Sequence, residues 1–197
     1  MNIPCIMLLV FMLDTLSASG QKLVYHVFHG NNNIGFIHVD REQKNNLEIY
    51  QLQSEVNFRI LWKNHEHVSK MKVTFKDGVL FESISETWQN EKLDIKSRIW
   101  KNGNQYQGVF HSGDSVKITH PIDLSAVQLY YQEPVGLESV FLESFLEYGK
   151  FETVSPGNYE IKTPNGRLNT YIYEDGTLKE LQVEGTWFTI HFKKQKT

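Results

Sequence analysis

The groups in this chain that could do chemistry are its histidines, one run of carboxylates and a set of large aromatics. In "NHEH" (64–67), His65 and His67 stand two apart. On a strand that spacing puts both imidazoles on one face, where two can grip a zinc ion. A third ligand would have to come from a distant strand, because Glu66 points the other way; the competing reading is a solvated polar hairpin. Glu133, Glu138 and Glu143 crowd one region. Paired acids cleave glycosides when they face each other across roughly 5–10 Å, but exposed glutamates are the ordinary case. The chain has no G-x-S-x-G, no H-E-x-x-H and no phosphate-cradling glycine loop. Sequence therefore assigns no catalytic residue, no metal site and no cofactor. Binding remains. Trp88, Trp100, Tyr130, Tyr131, Phe141 and Trp187 supply more aromatic surface than a modest core needs. They form the candidate ligand-binding set, each also suited to core packing.

These side chains must be positioned by strands. "HGNNN" (29–33), "KDG" (76–78), "KNGN" (101–104), "HSGD" (111–114), "SPGN" (155–158), "PNG" (164–166), "EDG" (174–176) and "EGT" (184–186) all carry turn chemistry. Asn-Gly and Asp-Gly accept the positive φ that hairpin turns require. Between the turns the pattern has period two: Met71, Val73 and Phe75 share a face, as do Tyr159 and Ile161, and Phe188, Ile190 and Phe192. Some strands are apolar on both faces, with Tyr171 and Tyr173 opposite Leu168 and Ile172, and Tyr25 and Val27 opposite Val24, His26 and Phe28. The expected fold is all-β and mainly antiparallel: a strongly curved sheet, half-barrel or open barrel, with a sandwich as the alternative. "TWQ" (87–89) and "RIWKNG" (98–103) flank a hairpin, which allows their tryptophans to form a rim.

One stretch breaks the rhythm, "DLSAVQLYYQEPVGLESVFLES" (123–144). Asp123 and Ser125 are helix-capping types, residues 125–132 contain no turn former, and Pro134 stops a helix before it. The spacing predicts one short helix over about 124–132, plugging the concave side or one mouth of the sheet; a strand alternating at Val127, Leu129 and Tyr131 is the competing reading.

Residues 1–20, "MNIPCIMLLVFMLDTLSASG", pair an apolar core with small residues at 17–20, the layout of a secretory signal peptide cleaved after Gly20 or one residue earlier. No Lys or Arg precedes the core; a buried N-terminal element is the alternative. The apolar run is too short to span a bilayer. Residues 21–197 then form a single antiparallel β domain, exported to the periplasm or beyond. Cys5, the sole cysteine, leaves with the leader, so no internal disulfide remains. The net charge of −3 moves closer to neutral as Asp14 is removed, so the chain as a whole has no basic field for nucleic acid or anionic lipid.

"EPVGLESVFLES", with "NYEIKTPNGRLNTYIYEDGTLKELQV" after it and "IGFIHVDR" and "FKDGVLFES" before it, resembles a family of small exported β-proteins of Gram-negative bacteria classified only as a domain of unknown function. The likeness covers nearly the whole chain after the leader. It implies an architecture similar to curved-sheet half-barrel carriers closed by a short helix, and carries no active site. Three functions follow as expectations. The first is carriage of an apolar or lipid-like molecule in the periplasm. The second is interaction or assembly with an envelope protein, without a ligand. The third and least favoured is a carboxylate- or metal-dependent hydrolase. Neither nucleic acid nor a membrane span after leader removal is expected.

Overall fold

The computed structural model describes residues 19–60, 62–185 and 188–195. The expected leader lies outside them except for its last two residues, which open the first strand. Among the described residues fourteen strands make one sheet. The first meander is β1 (Ser19–His29), β2 (Asn32–Lys44), β3 (Leu47–Ile60), β4 (Lys63–Lys76), β5 (Val79–Gln89), β6 (Lys92–Asn102), β7 (Gln105–Phe110) and β8 (Ser115–Ile118). The second is β9 (Ser139–Leu142), β10 (Glu147–Ser155), β11 (Asn158–Lys162), β12 (Leu168–Glu174), β13 (Thr177–Glu184) and β14 (Thr189–Lys194). Within each meander neighbours in sequence are neighbours in the sheet, and β1 pairs antiparallel with β14 to join the two meanders, leaving β8 and β9 at the edges.

The alternation sets the inner face. Tyr25, Val27, Val39, Tyr50, Val73, Phe75, Ile99, Ile161, Tyr171 and Tyr173 all point into one core, where apolar area leaves water. Turn residues sit where φ must be positive: Asp175 and Gly176 at 51° and 69° reverse β12 into β13.

The sheet curls until β9 and β10 return to β5–β7, and it closes by packing rather than by a ladder between its edges. Small side chains make this approach possible. Ser83, Ser85, Thr87 and Ser97 are buried on the inner faces of β5 and β6. Ser97 donates to the Glu143 carbonyl at 2.8 Å, and Ser85 Oγ meets Ser144 Oγ at 2.7 Å. Gly108 lies under Leu146, whose Cδ1 would be 2.9 Å from any Cβ there.

The chain between β8 and β9 fills the seam and the concave side. Leu80 N–H donates to the Ile122 carbonyl at 2.7 Å and Phe141 N–H to the Leu124 carbonyl at 3.1 Å. These bonds hold the chain extended as far as Ser125, so the helix expected over 124–132 is shortened to a 3-10 helix, Ala126–Tyr130. It is not a stripe laid on a sheet, because Val127, Gln128, Leu129 and Tyr130 are all buried. It is a plug.

Candidate functional site

The plug is held by phenol hydroxyls. Tyr173 on β12 donates to the Leu129 carbonyl at 2.7 Å, Tyr148 on β10 to the Pro121 carbonyl at 3.4 Å, and Tyr159 on β11 to Glu133 Oε1 at 2.8 Å. The Tyr106 hydroxyl on β7 accepts the Ile122 N–H at 3.4 Å. From the plug side, Tyr131 donates to the Val39 carbonyl of β2 at 2.7 Å. Four strands thus reach the segment and the segment reaches a fifth. Burial pushes the hydroxyls of Tyr25, Tyr130, Tyr171 and Tyr173 upward, which keeps all four neutral and leaves Tyr25 and Tyr173 as donors. Tyr173→Phe is expected to cost about 1–2 kcal/mol by leaving the Leu129 carbonyl unpaired; equilibrium denaturation measures it, and a change near zero would show that this bond does not hold the plug.

Glu143, 2% exposed, lies beside the first turn of the plug helix, where Oε1 accepts the Val127 N–H at 3.1 Å. Gln128 Oε1 accepts the Ser125 N–H at 2.9 Å, so both side chains satisfy helix-start donors. Burial raises the Glu143 carboxyl above its ordinary value of 4.5, and backbone N–H donors pull the other way. Ser125, whose side chain lies against the Glu143 carboxyl, and Asn169, beside Tyr171, are the neighbouring polar groups that also favour the charged forms.

The candidate aromatics divide. Tyr130 and Phe141 are buried with the plug and Tyr131 is half-buried beside it; Tyr130 meets Tyr25 edge-to-face at 5.3 Å. Trp88 and Trp100 lie on the outer face of β5 and β6, with Lys70 Nζ 5.5 Å from one ring and the Arg98 guanidinium 5.2 Å from the other. Trp187 falls outside the described residues. The described members therefore form no single lining. The carboxylates diverge as well: Glu143 is interior, Glu133 holds a tyrosine and Glu138 is exposed. His65 and His67 do share the inner face of β4, at the end away from the plug. His65 stacks on Phe58 at 5.4 Å, and burial lowers His67 below its ordinary 6.5. Among the described residues no three acid, histidine or cysteine groups converge as metal ligands.

Two open clefts lie on the described surface. A trough of about 380 Å³ on the outer face includes His38, Asp40, Gln51, Gln53, Lys70 and Lys72. A larger cleft of about 700 Å³ lies at the β3–β4 end, beside Asn57, Arg59, Asn64, Glu66, Asn90 and Glu91. Sequence reading missed Tyr106, Tyr148, Tyr159 and Tyr173 as anchors. Their signal was available, since a phenol at an inward strand position needs a partner for its hydroxyl.

A curled antiparallel sheet stoppered by its own 3-10 segment defines a β-barrel-like protein. The chain belongs to the family described as a domain of unknown function, DUF6134, which matches residues 25–195. Among solved structures it is similar to a β-barrel-like protein of the domain of unknown function DUF1849 from Brucella abortus. That likeness has a TM-score of 0.54 over 89% of this chain and 95% of the other, at 8% identity, and it speaks to the fold alone. No curated protein matches the chain.

Proposed function

We propose that this is an exported, non-catalytic module of the cell envelope that works through its outer surface, its interior being occupied by the plug. The observation that carries this reading is the tyrosine-clamped segment on the concave face. A carried lipid would have to sit where Val127, Leu129 and Tyr130 are buried, and would have to break the bond from Tyr173 to Leu129. Export is supported by the apolar run and small residues of 1–20, the layout of a cleavable leader.

Native mass spectrometry of protein purified from its own host tests both parts. The expected mass is that of the chain alone, lacking residues 1–20 or 1–19. A stoichiometric co-purifying lipid would overturn the surface reading in favour of carriage, and an intact leader would overturn cleavage.

A further inference from the structure

The β3–β4 hairpin outruns its neighbours. Its ladder with β2 ends at Gly35↔Val56 and its ladder with β5 at His67↔Gln89, and Asn90 closes the β4 edge at Glu66 by bonding to its N–H and carbonyl. Three further cross-strand pairs, Phe58↔His65, Arg59↔Asn64 and Ile60↔Lys63, have no ladder partner on either flank among the described residues. At about 3.3 Å per residue they form an arm of roughly 10 Å. The arm is braced at its neck, where Phe58 stacks on His65 and meets Phe188 at 5.7 Å. Near its tip stands Trp62, 73% exposed, the most exposed of the large hydrophobic side chains described. Between Glu55 and Glu66 the sequence carries Arg59 and Lys63 and no acid, although the chain as a whole is acidic.

We propose that this arm is a finger that enters the interface of a lipid bilayer, with anionic headgroups favoured by Arg59 and Lys63. Tryptophan prefers the headgroup level, where its ring is apolar and its N–H wet, and flanking cations complement an anionic surface. Size decides against a protein partner: a stable protein interface buries above roughly 1,000 Å², more than three ribbon pairs present, whereas a bilayer accepts one aromatic wedge. The roughly 10 Å arm matches the depth of about 5–10 Å reached by interfacial elements. Glu66 and Glu91 at its base face the headgroups as like charges and limit entry to the tip. This contact is local, which reconciles it with the lack of a basic field over the whole chain. It adds to the surface-acting reading, and its failure leaves the bare-mass result untouched.

The test is flotation of protein purified from its own host with protein-free phosphatidylcholine vesicles, with and without phosphatidylglycerol. A leader still attached would be common to all variants, so differences between them belong to the arm. Trp62→Ser is expected to lower the vesicle-bound fraction roughly tenfold in both lipids. Arg59→Gln with Lys63→Gln is expected to remove a preference for phosphatidylglycerol of roughly tenfold and leave binding to neutral vesicles unchanged. Unchanged circular dichroism and melting temperature for both variants keep the comparison with folded protein. Wild-type protein that does not float, a Trp62→Ser variant that floats like wild type, or association with native membranes but not with protein-free vesicles would each overturn the proposal, the last in favour of a protein partner.

Discussion

Phe141→Ala is expected to lower the free energy of unfolding by about 3–5 kcal/mol, the cost of emptying a packed aromatic site. The ring is fully buried, meets Tyr148 edge-to-face at 5.6 Å, and belongs to the residue whose N–H reaches the Leu124 carbonyl across the seam. No neighbour can follow it inward, because β9 is held on one side by β10 and on the other by the plug. Trp88→Ala is the contrast. Its ring lies on the outer face under a lysine, and its loss is expected to cost about 1 kcal/mol or less. Urea titration of both variants measures the difference, and equal costs would mean that the seam is not where the structure is packed.

Glu143 should give the second large effect and an unusual pH signature. Glu143→Ala leaves the Val127 N–H buried without a partner and opens a void, together costing about 2–4 kcal/mol. Glu143→Gln keeps the shape and removes the titration. Because burial raises the folded-state value above the ordinary 4.5, the folded state binds this proton more tightly than the unfolded state does. The contribution of Glu143 is therefore fully present below pH 4.5 and is lost as pH rises through the raised value, the reverse of an ion-paired acid. The stability of wild type relative to Glu143→Gln should fall as pH rises from 4.5. Chemical denaturation of both proteins across that range gives the curves, and curves that stay parallel would show that the carboxyl titrates alike in the folded and unfolded chains.

Where sequence carried the physics locally, it was legible. Asp77-Gly78 and Asp175-Gly176 are turns because φ must be positive there, and Met71, Val73 and Phe75 share an inner face because strands have period two. Asn45 with Asn46, and Asn90 with Glu91, make turns without glycine and went unread, since asparagine tolerates positive φ but also appears in many other settings. The plug was legible as an interruption but not as a five-residue 3-10 helix, because its start is set by the bond from the Phe141 N–H to the Leu124 carbonyl, which only the closed sheet supplies. The aromatic set failed as a single lining for a similar reason. Trp88 and Phe141 have the same composition signal, and only strand register decides that one faces solvent and the other the core.

Pairing β1 with β14 makes the first strand of the domain wait for the last. Tyr25 donates to the Leu178 carbonyl 153 residues away, and the ladder runs from Tyr25↔Lys194 to His29↔Ile190. A chain emerging from its N-terminus can zip β1–β8 at once, since each strand meets the next through a short turn, yet β1 keeps a bare edge until β14 has emerged. That interval is the period of greatest risk for edge-to-edge association. Chains cut short before residue 189 never leave it.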